Sequence, residues 1–388
     1  MTDSTVVYTD LSDSREAGNF LGAKILEDLD GHSPDAVIVF ASSRHDYSHL
    51  LEAIKAGCKP RLMVGCSSAG EFTSKAQGES SASVVALRSS EMHFAAGVGH
   101  NLRAGREEAA EEIVSSFTGL GNHRFLYRSA LVLTDALAGY ADDLIESLNL
   151  LTAGTYMLFG GGAGDDAQFT RTHVFYDTEA VPDAAVALEI LSNKPLGIGV
   201  SHGWIPASAP LRVTEAEGMR LISLNATPAV EVFQEHAVKT GQTFDPANPI
   251  SFFLHNIIGI DTGSGHKLRV PLAVNEDGSV TCAADIPAGA TVHIMSVTGV
   301  SSAEAARSAT VAALEQLNGH QPQVALFFDC VATRLRMGKE FGLEMEALKN
   351  VLGTTKYAGC NTYGQIARAE RQFSGFHNCT AVVCVIPE

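Results

Sequence analysis

The sequence predicts an α/β fold with mixed sheets, arranged as two domains built on duplicated βαβ units that end in glycine-rich turns. Two observations carry this expectation. Three times along the chain an apolar strand, an amphipathic helix and a second short apolar strand follow one another. Each of these units then runs into a glycine turn, at Gly65-Cys66-Ser67-Ser68-Ala69-Gly70-Glu71-Phe72, at Gly160-Gly161-Gly162-Ala163-Gly164-Asp165-Asp166 and at Gly359-Cys360-Asn361-Thr362-Tyr363-Gly364-Gln365-Ile366. Such a turn lets the backbone approach a ligand closely and leaves N–H groups free to bind it.

The first unit reads as a strand over 36–41, a helix over 47–56 and a strand over 61–64. The second takes 130–134, 141–151 and 156–159, and the third 324–328, 339–352 and 356–358. In each, a continuous apolar run reads as a buried strand before the period switches to that of a helix. A βαβ unit makes its strands parallel, so all three turns leave carboxyl ends, where ligands bind in α/β sheets. Further strands are expected at 82–87, 92–98, 174–176, 185–190 and 379–386, as antiparallel additions, with helices at 107–117 and 303–317. A segment without clear period, holding Pro206 and Pro210, marks a boundary. The expected division is a lead-in over 1–30, one domain over 31–205 and a second over 206–388.

Composition excludes several classes. The 388 residues are 45% apolar and 18% charged, ordinary for a globular chain. With 27 Lys+Arg against 44 Asp+Glu, the formal charge of −17 argues against nucleic acid as a partner. No apolar run is long enough for a spanning helix, and the N-terminus lacks a signal-peptide pattern, so the expected setting is cytoplasmic without membrane contact. Seven scattered cysteines with no CxxC pair signal no zinc site of the usual kind. No nucleotide fingerprint or hydrolase elbow is met.

The order GCSSAGEF, FGGGAGDD, SHGW, LRVTEAEG and TPAVEVF, ending in FFDCVATR, YAGCNTYGQIAR and FHNCTAVV, resembles the FIST family of sensory proteins over about residues 30–386. The resemblance makes the two domains FIST N-like and FIST C-like, and implies a small-ligand sensor in signal transduction, with amino acids as proposed ligands. A chain carrying only these modules is similar to the stand-alone subset of haem-containing nitric-oxide sensors, which act with a histidine kinase in a two-component system. Haem b, nitric oxide, such a kinase and a homodimer are therefore expectations of the resemblance. Where the family commonly has Glu, this chain has Gln365, and Cys330 to Arg334 is one residue longer than the family's Cys-x-x-Arg pattern.

Cys66, Ser67, Ser68, Glu71, Gly161, Gly162, Cys360, Asn361, Thr362, Tyr363 and Gln365 are the candidate ligand-binding residues. They offer donors and acceptors with few charges, as a neutral or zwitterionic molecule requires, although the same residues dominate ordinary turns. Fourteen histidines supply haem candidates, of which His202, His236 and His255 are singled out. The expectation is a sensor and not an enzyme. The competing class is a cofactor-independent amino-acid isomerase in which Cys66 and Cys360 converge on a substrate, and the plain alternative is that both thiols pack behind tight turns.

Overall fold

The computed structural model describes residues 2–122, 124–368 and 374–388. Its first unit holds β1 (Thr2–Thr9), α1 (Ser14–Asp28), β2 (Ala36–Ser42), α2 (Tyr47–Cys58), β3 (Leu62–Ser68), a hairpin of β4 (Glu71–Thr73) and β5 (Gln77–Gly78), and β6 (Ala82–Ser89). The second repeats that order with β7 (His93–His100), α3 (Arg106–Ser115), β8 (Tyr127–Thr134), α4 (Ala141–Leu151), β9 (Met157–Gly162), a hairpin of β10 (Val174–Tyr176) and β11 (Glu179–Val181), and β12 (Ala184–Ser192). The third opens with β13 (Gly197–Ser201), where the chain leaves to build a lobe.

That lobe is a nine-stranded antiparallel sheet of β14 (Ile205–Pro206), β15 (Leu211–Glu217), β16 (Arg220–Leu224), β17 (Thr227–Pro228), β18 (Ile257–Asp261), β19 (His266–Arg269), β20 (Pro271–Val274), β21 (Val280–Cys282) and β22 (Thr291–Ser296). Helices α5 (Ala229–Thr240) and α6 (Ile250–Phe253) pack on it through Phe233, Phe252 and Phe253. The chain then completes the third unit with α7 (Gly299–Glu315), β23 (Pro322–Cys330), α8 (Val331–Met337), α9 (Gly342–Leu352), β24 (Lys356–Thr362), a hairpin of β25 (Gln365–Arg368) and β26 (Ser374–His377), and β27 (Ala381–Pro387).

The mixed α/β class is as expected, and the three units share one topology. Their strand orders are β1-β6-β2-β3, β7-β12-β8-β9 and β13-β27-β23-β24. The one parallel pair in each is β2–β3, β8–β9 or β23–β24. Residues 1–30 are more than a lead-in, because β1 and α1 are the first strand and helix of the first unit. The chain enters the lobe after β13, and residues 299–388 return to the body.

Each hairpin pairs with a neighbouring unit's sheet: β4–β5 extends β24, β10–β11 extends β3, and β25–β26 extends β9. This cyclic exchange ties the units around a common core to which Phe40, Phe159 and Phe328 all contribute. Phe40 meets Phe328 edge-on at 5.8 Å between ring centroids. The motif glycines Gly65, Gly160 and Gly359 occupy equivalent places, each crowded against the carbonyl of the adjacent parallel strand. A Cβ on Gly359 would stand 1.8 Å from the Phe327 carbonyl oxygen. Gly359→Ala is therefore expected to lower stability by about 1–3 kcal/mol through overpacking, read as a lower midpoint in urea unfolding.

Candidate functional site

The three glycine turns converge, and they spend their N–H groups on one another. Gly164 N–H donates to the Ser67 carbonyl at 2.8 Å, Ala69 N–H to Asn361 at 3.0 Å, and Gly162 N–H to Gly364 at 2.9 Å. The reverse bonds Asn361 N–H to Gly70 O (2.8 Å) and Tyr363 N–H to Gly162 O (2.9 Å) complete the knot. The expectation of free turn amides is thus corrected: buried backbone donors must be paired, and here the turns pair with each other.

The expected side chains follow the same pattern. Ser67 bridges to His173, the Ser68 hydroxyl donates to Glu71, and Gln365 Nε2 donates to Thr362 Oγ1 at 2.9 Å. Cys66 and Cys360 do converge, with no exposure, in the common core beside Phe40 and Phe328. Burial and the neighbouring Cys66 thiol hold Cys360 well above the usual thiol range. The two thiols pack against each other there. Gly161 and Gly162 lie buried in β9. Of the expected set, Glu71, Asn361 and Tyr363 line cavities.

The larger of these cavities, about 420 Å³, is bounded on one side by the body and on the other by the lobe. Its lobe wall is apolar, with Ile250, Leu254, Val270, Pro271, Leu272 and Ala283. Its body wall comprises Ala136, Leu137, Cys330, Val331, Ala332, Leu335, Tyr363 and Asn378, with Phe169. Cys330 ends β23 and Tyr363 follows β24, so this is the carboxyl-end position that βαβ units favour for ligands. Phe169 stacks on Tyr363 at 4.4 Å despite a left-handed φ of 55°. The Asp165 carboxylate holds it there, accepting N–H bonds from Phe169 (2.8 Å), Thr170 (2.7 Å) and Arg171 (2.8 Å) besides the Tyr363 hydroxyl. Burial alone would raise the pKa of Asp165, but those four donors outweigh it and hold the group below the usual range.

Cys330, which the sequence places in a family-like motif, stands outside the candidate ligand-binding set. It shares an apolar cluster with Cys379, which the antiparallel pairing of β23 with β27 brings to its side. The Cys379 thiol is the leading cause that lowers the Cys330 pKa to about 6, against burial. Its place at the carboxyl end of a parallel strand was the available signal.

The smaller cavity, about 220 Å³, has Glu71, Arg334, Lys339 and Asn361 on its wall beside Phe72 and Phe341. Arg334 Nη1 lies 2.7 Å from Glu79 Oε1. Burial pushes the Glu71 carboxyl up to about 7, although Ser68 and Ser81 donate to it.

The chain matches the FIST N domain over residues 35–227 and the FIST C domain over residues 229–368. The chain belongs to the FIST family. FIST domains are sensory signalling domains that bind small ligands. No curated protein matches the sequence. Among solved structures, this FIST protein is similar to cyanuric acid hydrolase from A. caulinodans, at 7% identity over 100% of this chain and 99% of that one, with a TM-score of 0.33. It is similar to T. maritima PurL at 10% identity, over 99% of this chain and 71% of that one, with a TM-score of 0.22. Likeness at this level says nothing of activity.

The three haem candidates stand in different surroundings in this FIST protein. His255, expected inside an apolar run, is exposed at the turn after α6. His202 Nε2 is committed to the His266 carbonyl at 3.1 Å. His236 is buried on α5 beside Asn256. None of the three lines the 420 Å³ cavity. Among the described residues no group of three or more His, Cys, Asp or Glu is placed to hold a metal ion, and no helix is long and apolar enough to cross a membrane.

Proposed function

We propose that this FIST protein is a small-molecule sensor whose ligand occupies the 420 Å³ cavity between body and lobe. The observation that carries the reading is the cavity's build, with one apolar wall from the lobe and a second wall where Cys330, Tyr363 and Asn378 add polar groups. Its volume falls in the range of small-molecule sites, which are largely apolar with a few converging polar groups. A ligand there touches both parts and so favours one setting of the lobe, which is how binding energy becomes a change of shape. The signal would pass to a partner, a histidine kinase being the class that the family resemblance implies. Haem and nitric oxide gain no support from the wall residues, so the ligand favoured is an organic molecule with an apolar body.

The test is a thermal-shift screen of small apolar acids, alcohols and amides, run beside Ala283→Trp, which places an indole in the cavity. The expected result is a hit that raises the melting temperature of the parent and leaves the variant unmoved. Hits that act equally on both would remove the cavity from the account.

An amino-acid ligand is the second reading, favoured by the charged residues of the smaller cavity, where Arg334 suits a carboxylate and Glu71 or Glu79 an ammonium. In that case amino acids raise the melting temperature, and Arg334→Gln abolishes the effect while Ala283→Trp does not.

A further inference from the structure

Seven cysteines are present, and burial pushes the thiols of Cys58, Cys282, Cys360 and Cys384 upward. Cys330 differs in place and in surroundings. It lines the body–lobe cavity, which gives its sulfur a route to molecules that enter. Its neighbour Cys379 comes from the turn between β26 and β27, in the same apolar cluster. Cys379 holds a left-handed φ of 51°, uncommon for a residue with a side chain. β23 pairs antiparallel with β27, Phe328 opposite Val382, and this register brings the Cys379 turn against the end of β23 where Cys330 lies.

We propose that Cys330, in the body wall of the cavity, and Cys379 behind it form an oxidisable dithiol, with organic hydroperoxides as the class of molecule that oxidises it. This deepens the cavity reading above and rests on it for access. The Cys379 thiol beside it favours the Cys330 sulfur as an anion, and the anion is the nucleophile in thiol chemistry. A low-pKa cysteine beside a second thiol is the arrangement of redox-sensing pairs.

The Cys330 thiolate attacks the terminal oxygen of the hydroperoxide, the O–O bond breaks, and the departing alkoxide takes a proton to become an alcohol. Cys330 is then a sulfenic acid. The Cys379 sulfur, losing its proton, attacks the Cys330 sulfur and expels the hydroxyl as water, which leaves a disulfide. Two thiols have lost two hydrogens, and one hydroperoxide has become one alcohol and one water. The apolar lining suits a hydroperoxide with a hydrocarbon body.

The experiment treats the full-length chain with equimolar cumene hydroperoxide or hydrogen peroxide, then alkylates, digests and reads peptides by mass spectrometry. The expected product is one Cys330–Cys379 disulfide with the other five thiols alkylated. Cys379→Ser should stop at a sulfenic acid that dimedone traps on Cys330, and Cys330→Ser should slow the oxidation of Cys379 about tenfold or more. Ala283→Trp should slow the reaction with cumene hydroperoxide more than that with hydrogen peroxide. Indiscriminate oxidation of all seven thiols, or a Cys379 that oxidises equally fast without Cys330, overturns the proposal. A disulfide that forms in a protein whose cavity takes no screened ligand upholds the dithiol and removes the sensor reading. A ligand that binds while both thiols survive does the reverse.

Discussion

Arg269→Met is expected to cost about 3–5 kcal/mol, because it leaves a charge behind where two parts of the molecule meet. Arg269 ends β19 in the lobe and is 1% exposed. Its Nη2 lies 2.5 Å from Asp142 Oδ2, on α4 of the second unit. Nη1 donates to the carbonyl of Phe376 at 3.1 Å, on β26 of the third unit, and to that of Leu268 at 3.0 Å. Nε donates to the Asp285 carbonyl at 2.8 Å. One guanidinium thus fastens the lobe to two units at once, which a flexible ammonium could not do with the same fork of donors.

Asp142 also takes Lys267 Nζ at 2.6 Å and the Phe376 N–H at 3.0 Å. Burial would raise its pKa, and Arg269, then Lys267, reverse that and keep it ionised. Methionine fills most of the volume and removes the charge, so the loss measures electrostatics more than packing. Urea unfolding at neutral pH should show a lower midpoint, with a first transition in which the lobe loosens before the body. A midpoint equal to the parent's would mean that this ion pair does not hold the lobe. Since the lobe forms one wall of the 420 Å³ cavity, ligand-induced stabilisation should weaken in the same variant.

The three βαβ units were legible because long apolar runs and helical periods are local properties of a sequence. The equivalence of Cys66 and Cys360 was legible too, from the shared motif. The hairpin exchange was not. Strands such as Glu71–Thr73 and Gln77–Gly78 are too short to show a period, and they pair through backbone with a sheet made far away in the chain. That exchange also explains why the turns make a knot and not a ligand cradle, since each turn leads into the hairpin that it lends to a neighbour. The lobe escaped notice because its strands run from two to seven residues. Cys330 stood outside the candidate set because its meaning depends on Cys379, which reaches it only after the third hairpin is in place.

A second large effect is expected from pH. The Glu71 carboxyl is buried and raised from 4.5 to about 7, with burial the leading cause. Between those values the folded protein keeps a proton that the unfolded chain has released. Stability from this group is therefore fully present below pH 4.5 and is lost as pH rises through 7. The shift corresponds to about 3 kcal/mol. Glu344 is raised to about 8 by burial and adds in the same direction, whereas buried His377, lowered to about 3, acts on the acid side.

Glu71→Gln isolates the one term. The chain itself shows that an amide fits, because Gln365 holds the equivalent place in the third unit. There Gln365 Nε2 donates to Thr362 as the Ser68 hydroxyl donates to Glu71, and its Oε1 accepts the Thr380 N–H at 3.2 Å. The variant should match the parent near pH 4.5 and exceed it by about 3 kcal/mol at pH 8, in urea melts at the two values. A difference between the two proteins that stays constant across that range would mean that Glu71 titrates normally, and that water reaches it through the 220 Å³ cavity it lines.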